Sequence, residues 1–174
     1  MSSILRNRYA TKLRVLNATL LPAALAPHKT RLARNQAHRR GQLFEAWAQE
    51  RLGQQYGQQH LQGAWLHYTT QNGQGNLQID AIVFDLSNGK IYVIEVKLAH
   101  TATAQQQLLH CYIPALRAAM GRNAWLFDFI PVEICGRFDV AEECHIQGGS
   151  TLRDDLRQCA PNTFNVMVWR KPKW

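Results

Sequence analysis

The chain has 174 residues, of which 46% are hydrophobic and five are tryptophan. This length supports one domain with a substantial core and is hardly sufficient for two. The formal net charge is +8, and the excess of positive charge lies near the N-terminus. Residues 1–44 contain nine Lys or Arg and no acid, whereas the remainder has eleven basic and twelve acidic residues. This asymmetry favours a basic arm that meets a polyanion, with a solubilising tail as the alternative.

The N-terminal arm, residues 1–39, is predicted to be helical. Apolar residues recur every three to four positions over Ile4–Leu21, which predicts an amphipathic helix that ends near Pro22. The apolar stretch Val15–Ala26 is too short to span a bilayer, which takes ~20 residues. Its last three residues resemble a signal-peptidase site, and the acid-free start also suits a transit peptide. We expect a retained arm in a cytoplasmic protein without a membrane span.

The next segments predict one helix and three strands. A helix from about Arg31 to Leu52 has an apolar stripe and stops at Gly53, and the polar residues 54–59 form a loop or a frayed continuation of the helix. The strands and turns that follow are a strand within Leu61–Thr70, a turn at Gln71–Asn76, and strands at about Leu77–Leu86 and Lys90–Leu98 that Ser87, Asn88 and Gly89 separate.

The C-terminal half predicts a helix, a strand, a short helix and a last strand. The long helix covers Thr103–Met120, is kinked at Pro114 and is capped by Gly121. The remaining predictions are a strand at Asn123–Cys135 with Pro131 at an edge or bulge, a helix at Thr151–Cys159 capped by Ser150, and a strand at Phe164–Trp169. This order indicates an α/β (α+β) core.

The cysteines and histidines provide no sequence signature of a zinc site. Cysteines 111, 135, 144 and 159 lack Cys-x-x-Cys spacing and are interpreted as reduced core thiols. His100 and His110 are interpreted as surface residues.

The most informative motif is the acid–hairpin–Glu-x-Lys pattern formed by Asp80, Glu95 and Lys97. Side chains alternate along a strand, so Glu95 and Lys97 share a face that otherwise looks buried. A hairpin would place Asp80 and Glu95 at matching ends of neighbouring strands. Buried charges need partners, and a divalent cation would provide one. The alternative is a surface ion pair, worth ~0–1 kcal/mol.

The pattern resembles the PD-(D/E)xK nuclease superfamily, and within it the Holliday-junction-resolvase and nuclease-related-domain branches. The resemblance covers roughly Arg40 to Met120 and includes the helical segment Gly41–Ala46 with Glu45; Ile79 stands where the superfamily name has proline. It implies a restriction-endonuclease-like core, with a mixed sheet of about four to five strands flanked by helices, in a nuclease-like domain over residues 40–174.

The resemblance also implies a metal-dependent DNA nuclease that uses Mg²⁺, for which Mn²⁺ would substitute. Asp80, Glu95 and the Val96 carbonyl would hold the cation, Glu45 would complete the acidic cluster, and Glu50 is the alternative to Glu45. Lys97 would orient or deprotonate the attacking water, with a pKa lowered by the cation. Gln107 is a weaker accessory candidate among Gln105, Gln106 and Gln107, since a solvated helix face explains any one of them.

Duplex or branched DNA is the expected partner, held by backbone phosphate contacts. The candidate phosphate-binding residues are Arg31, Arg34, Arg39 and Arg40. The sequence contains no zinc finger or helix-turn-helix that would read bases, so a preference for shape or ends is expected. Symmetric DNA would favour a homodimer. The alternatives are a catalytically inactive nuclease-fold subunit that binds nucleic acid or an assembly, and a protein whose N-terminal segment anchors it to a membrane or partner.

Overall fold

The structure is a computed structural model that describes Tyr9 and residues 11–25, 35–138, 152–153 and 155–170. These residues form one mixed sheet and three α-helical segments. The strands are β1 (Val15–Leu20), β2 (His60–Thr70), β3 (Gly73–Asp85), β4 (Lys90–Lys97), β5 (Asp128–Cys135), β6 (Leu152–Arg153) and β7 (Asn165–Val168), and the helices are α1 (Gln36–Tyr56), α2 (Ala102–Gln107) and α3 (Ile113–Met120).

The sheet changes from antiparallel to parallel at β4. Its spatial order is β1-β2-β3-β4-β5-β7-β6; the first four strands pair antiparallel, and the pairs from β4 onward are parallel. A parallel pair needs a crossover, and α2 and α3 supply the one between β4 and β5. The predicted mixed α/β class is therefore confirmed. The predicted strand number was too low, because β1 and the two-residue β6 also join the described sheet.

The helices cover the two faces of the sheet, which produces three layers. Phe44, Ala48 and Leu52 of α1 pack into one core cluster with β4 side chains of one face. Leu108 and Leu116 pack into the other cluster with those of the opposite face. Strand β4 is therefore buried on both sides from Ile91 to Val96, which explains why its sequence is almost continuously apolar up to Glu95.

The predicted amphipathic helix over Ile4–Leu21 is wrong where the structure describes it. Val15–Leu20 is β1, which pairs with β2. Leu16 and Leu20 are exposed, and the buried residue of β1 is Ala18, which the apolar spacing did not include. Pairing with β2 decided this segment, because a weak helical periodicity has no buried face to stabilise it. Residues 1–8 lie outside the described residues.

The second helix is displaced toward the C-terminus. Helix α1 begins after Asn35, whose side-chain oxygen accepts a hydrogen bond from His38 N–H at 2.8 Å. It continues through Gly53, so the predicted stop there is wrong, and the considered continuation of the helix is what the structure has. The helix ends at Gly57, whose φ of 52° favours glycine. The predicted start at Arg31 lies outside the described residues.

The predicted glycine-rich turn before the motif hairpin is shorter than expected. Strand β3 begins at Gly73, and Thr70 of β2 pairs with Gly73. Only residues 71–72 therefore remain in the turn.

The predictions for the last third are confirmed in part. The long helix exists as α2, a π-helical turn (Leu108–Tyr112) and α3, and the predicted last strand exists as β7. Strand β5 starts only at Asp128, after a 3-10 helix (Gly121–Leu126). Strand β5 is an interior strand and not the predicted edge. It accommodates Pro131 because the pairing with β7 begins only at the next residue, so no N–H is needed at Pro131 on that side.

The predicted helix over Thr151–Cys159 is wrong. Its described part contains β6 and a 3-10 helix (Leu156–Gln158), which follows Asp155. The Asp155 side chain accepts from the Arg157 N–H, as in a short capped turn. The predicted cap Ser150 lies outside the described residues. Cys135 and Cys159 are buried cysteines of the core, as predicted.

Candidate active site

A cavity of about 640 Å³ lies at the C-terminal end of β4, and Glu45, Asp80, Glu95 and Lys97 all line it. We call it the acidic cavity. Its charged residues come from α1, β3 and β4, so the structure brings together four side chains that the sequence separates by up to 52 positions. Glu50, the alternative to Glu45, is exposed on α1 and accepts a long hydrogen bond from Gln54.

Asp80 reaches the cavity because β3 is irregular at this residue. Ile79 and Ile82 belong to the same core cluster, although strict alternation would put them on opposite faces. Gly63, opposite Asp80 in β2, has a φ of +61°. The Asp80 side chain then accepts a hydrogen bond from Val96 N–H at 2.9 Å. The carboxylate is therefore fixed where the pairing of β3 with β4 ends.

Gln49 ties α1 to the same point of the sheet, and the sequence analysis missed it. Its side chain is 4% exposed, and its Nε2 donates to the Asp80 carbonyl at 2.8 Å. The Gln49 Oε1 lies 2.9 Å from His60 Nε2 and can only accept a hydrogen bond. The proton of the neutral His60 ring is therefore on Nε2. Burial lowers the pKa of His60, which favours this neutral form. The available signal was spacing, since Gly41, Glu45 and Gln49 recur every four residues on one helix face.

Glu95 is the most buried charged group of the cavity, with 2% of its surface exposed. The Lys97 ammonium pairs with its Oε1. Its Oε2 is buried and has no hydrogen-bond partner among the described residues. Val96 packs into the core cluster under α1. Side chains alternate along a strand, so Glu95 and Lys97 point to the other side of β4, where the cavity lies.

The protein groups around Lys97 determine its pKa here, and the lowering expected beside a bound cation stays a prediction. Burial alone would lower the pKa of Lys97, but the Glu95 carboxylate, its hydrogen bond and the Asp80 charge raise the pKa above its ordinary value. With these neighbours the amine is a charged donor and not a base.

Asp80 is the carboxylate of the cavity whose pKa is raised most clearly. Burial raises its pKa well above the ordinary value, and the Glu95 and Glu45 charges raise it further, against a lowering by the Val96 N–H and Lys97. Among the described groups that act on Asp80, two further carboxylates outweigh one ammonium. A proton or a cation at Asp80 would relieve this repulsion.

The donor set fits a hard divalent cation in kind. Carboxylate and carbonyl oxygens are its usual ligands, and the buried Glu95 Oε2 without a partner is an oxygen that such a cation would satisfy. The described residues contain no group of three or more His, Cys, Asp or Glu side chains already arranged around one metal position. Lys97 holds the other Glu95 oxygen, Oε1, in this arrangement.

Gln107 lies in the cavity because the helix that carries it has a π turn. Its side chain is buried, its Nε2 donates to the Tyr112 hydroxyl at 3.3 Å, and its Oε1 has no partner among the described residues. Residues five apart diverge on an α-helix but approach one another on a π-helix. Burial and then the Glu95 and Asp80 charges raise the pKa of Tyr112, which keeps its phenol protonated.

Pro114 connects the π turn to the N-terminal segment. It has no N–H for the His110 carbonyl, and this carbonyl instead accepts from Leu13 N–H at 2.7 Å. The His110 ring donates through Nδ1 to the Tyr9 carbonyl at 2.6 Å, and the Tyr9 hydroxyl accepts from Gln107 Nε2 at 3.1 Å. Tyr9 and Leu13 thereby form a wall of the acidic cavity. His110 is consequently a contact residue of this wall and not a plain surface residue.

A second buried pair, Glu133 and His100, adjoins the cavity. Glu133 is in register with Glu95 on the neighbouring strand and is fully buried. Its Oε2 lies 2.5 Å from His100 Nδ1, and its Oε1 accepts from Thr101 N–H at 3.1 Å. Burial raises the pKa of Glu133 against the lowering effect of His100. Interpreting His100 as a surface residue was wrong; the missed signal was an acid inside the apolar strand β5.

Basic residues stand beside the cavity. Arg39 and Arg40 are exposed in the first turns of α1, and Lys12 and Arg14 are exposed on either side of Leu13. Arg31 and Arg34 lie outside the described residues. The described cations therefore flank the walls formed by α1 and the N-terminal segment.

No model of a known protein family matches the chain, and no curated protein is similar to it. Among the described residues, no helix is both long and apolar enough to cross a membrane.

Proposed function

We propose that the chain is a metal-dependent DNA nuclease of the PD-(D/E)xK type that hydrolyses phosphodiester bonds as an endonuclease. The observation that carries the proposal is the acidic cavity, which Glu45, Asp80, Glu95 and Lys97 line together and where the buried Glu95 Oε2 has no hydrogen-bond partner among the described residues. A strongly perturbed carboxylate in a cavity is typical of a functional site.

The order of elements supports the same proposal. Glu45 on α1, Asp80 on β3, Glu95 and Lys97 on β4 and the following crossover helix occur in the sequence order that the superfamily has. The corresponding domain organisation is a restriction-endonuclease-like core over residues 40–174, to whose sheet the basic arm adds β1. The sheet and the two helical layers suit such a core.

The proposed chemistry assigns a role to each side chain. Asp80, Glu95 and the Val96 carbonyl would hold Mg²⁺ or Mn²⁺, with Glu45 as a direct or water-mediated ligand. Such a cation would supply an acidic bound water and would neutralise phosphate charge. Lys97, whose pKa its carboxylate neighbours raise, would orient the attacking water and stabilise the developing negative charge. Gln107 has a buried acceptor oxygen available to position a water.

Cations around the cavity supply the affinity for DNA. Arg39 and Arg40 on α1, and Lys12 and Arg14 on the N-terminal segment, are exposed and able to contact backbone phosphates. Binding should therefore weaken steeply with salt and depend little on sequence. Such an enzyme would serve DNA repair, recombination or defence, and a homodimer would suit symmetric substrates.

The test pairs each site residue with a matched residue of the same chain. Glu45→Gln, Asp80→Asn and Lys97→Gln should each lower the rate of DNA cleavage at least ~100-fold with Mg²⁺. The controls Glu50→Gln, Asp128→Asn and Lys90→Gln change the same residue types outside the acidic cavity. Equal cleavage by both series, with unchanged folding by circular dichroism, would refute the proposal.

A catalytically inactive nucleic-acid-binding or assembly subunit is the second candidate. The pairing of Lys97 with Glu95 favours it, because this pair partly neutralises the cavity without a cation. That candidate predicts salt-sensitive DNA binding without cleavage in Mg²⁺ or Mn²⁺. It also predicts that Asp80→Asn leaves DNA binding unchanged and that isothermal titration finds no Mg²⁺ binding.

A further inference from the structure

Access to the acidic cavity restricts the form of DNA that can reach its carboxylates. Glu95 is 2% exposed and lines a cavity whose volume of about 640 Å³ is that of a small-molecule pocket. A scissile phosphate has to enter until it lies beside Asp80 and Glu95. In an intact duplex, that phosphate would carry the neighbouring base pairs with it, and duplex DNA is stiff over this length.

The walls of the cavity come from four parts of the chain. Gly41 stands on the α1 wall, Tyr68 on the β2–β3 wall, Tyr9 on the N-terminal wall and Gln107 on the crossover-helix wall. A group that reaches the carboxylates is therefore surrounded by protein on several sides. A single strand can bend into such a space, whereas paired strands cannot separate their backbones without losing base pairs.

The N-terminal wall is fastened and not a loose tail. Tyr9 receives hydrogen bonds from Gln107 at 3.1 Å and from His110 at 2.6 Å, and Leu13 donates to the His110 carbonyl at 2.7 Å. Pro114 leaves this carbonyl without its helical donor, so the attachment is built into the backbone. Opening the cavity to a duplex would require breaking these three contacts together.

Two tyrosines of these walls offer rings to unpaired bases. Tyr68 crosses the strand pair above Gly75, where an added Cβ would lie 2.6 Å from the Tyr68 hydroxyl oxygen. Gly75 therefore leaves the space that lets the Tyr68 ring lie in the cavity wall. Tyr9 and Tyr68 are both partly buried and both line the cavity. Aromatic rings that stack on bases are a common means of binding single strands without sequence preference.

We infer that the acidic cavity takes an unpaired DNA strand, held between Tyr9 and Tyr68, and excludes the backbone of an intact duplex. This inference rests on the proposed nuclease function and adds the form of its substrate. Ends, single-stranded tails and gaps in branched DNA would be cut, and continuous duplex would be cut only where it opens.

The cleavage test compares a single-stranded DNA circle with a relaxed, covalently closed duplex circle of the same sequence, using the full chain and Mg²⁺. The single-stranded circle has no ends, so it separates unpaired DNA from DNA ends. We expect the duplex circle to be cut at least ~30-fold more slowly. Rates within threefold of each other would overturn the inference while leaving the proposed nuclease function intact.

A binding test separates the two proposals if no DNA is cut. The fluorescence anisotropy of labelled single-stranded and hairpin-closed duplex oligonucleotides is measured with the Asp80→Asn chain. A single-strand preference of about tenfold, together with no cleavage by the unchanged chain in the circle assay, would refute the nuclease and support the inference about the cavity. Equal affinity for both oligonucleotides would overturn the inference.

Tyr68 provides the residue-level test. Tyr68→Leu removes the ring and should weaken single-strand binding about tenfold, whereas Tyr68→Phe keeps the ring and should bind within about twofold of the parent chain. Trp125→Leu is the control, because Trp125 is 88% exposed and does not line the cavity. An equal loss for Tyr68→Leu and Trp125→Leu, or no loss for either, would refute the role of Tyr68.

Discussion

Gly41 distinguishes a functional cavity from a structural one, because its replacement should change stability and activity in opposite directions. Gly41 lies inside α1, one turn before Glu45, and lines the acidic cavity. A Cβ added there would meet no described atom within 4 Å, so packing does not require glycine. Alanine in a helix interior is more favourable than glycine by about 0.8–1 kcal/mol. For a chain of this size, Gly41→Ala should raise the melting temperature by about 2–4 °C.

The same methyl group projects into the acidic cavity beside Glu45. It should hinder the approach of a phosphate and lower the rate of DNA cleavage by about tenfold, since small displacements at a reacting centre cost that much or more. Thermal unfolding and initial cleavage rates in Mg²⁺ measure the two effects on the same preparation. Gly53→Ala is the matched control, because it adds a methyl group to the same helix outside the cavity, with ordinary contact to His60 at 3.7 Å. A Gly41→Ala chain that is more stable and fully active would refute the proposed use of this cavity wall.

Three further substitutions test the groups around Asp80 and β5. Asp80→Asn removes a carboxylate whose pKa is raised on folding, so its charge lowers the stability of the native state once the pH exceeds the ordinary pKa of an aspartate. In urea unfolding the variant should therefore gain about 1 kcal/mol or more at pH 8 and little at pH 4. Equal changes at both pH values would contradict this reasoning. Gln49→Leu leaves the Asp80 carbonyl and His60 without their hydrogen-bond partner and should lower the unfolding free energy by about 1–3 kcal/mol. An unchanged unfolding free energy would contradict a structural role for these two hydrogen bonds. His100→Ala leaves the buried Glu133 carboxylate with only a backbone donor and should lower the unfolding free energy by about 3 kcal/mol at pH 7. A loss within about 0.5 kcal/mol, as is usual for a surface residue, would contradict this.

The hairpin and the crossover helix could be predicted because their signals are local. Strand β4 is a run of β-branched and aromatic residues between a Gly89 turn and Lys97, and its neighbours in sequence pair with it directly. Pro114 and Gly121 mark the kink and the end of the helical region in the expected places. Local propensity and tertiary packing agree in these segments, so the sequence alone was sufficient.

The segments that the sequence analysis missed depend on partners far along the chain. Val15–Leu20 becomes a strand because β2, about 50 residues later, offers it an edge, and no local pattern carries that information. The helix predicted after Ser150 fails for a similar reason, because Leu152 and Arg153 pair with β7. Non-local pairing thus decided both ends of the sheet.

The site shows the same division between local and distant information. The Glu-x-Lys strand and Asp80 were recognisable from spacing, whereas Gln49 and Glu133 act through contacts that only the folded chain reveals. Gln107 was one of three equivalent glutamines in the sequence. The π turn, which follows from the lack of an N–H at Pro114, is what directs Gln107 toward Tyr112 and separates it from Gln105 and Gln106.

The charge balance of the acidic cavity favours a function over a purely structural ion pair. A structural network would match its charges, because an unmatched buried carboxylate lowers stability. Here burial and the Glu95 and Glu45 charges raise the pKa of Asp80, against the lowering by the Val96 N–H and Lys97. Gln49 donates to the Asp80 carbonyl and the Val96 N–H donates to its carboxylate, so the residue is held in place despite this unfavourable burial. Under the proposed function this carboxylate would bind a cation or a proton, and the stability lost at neutral pH would be the measurable consequence.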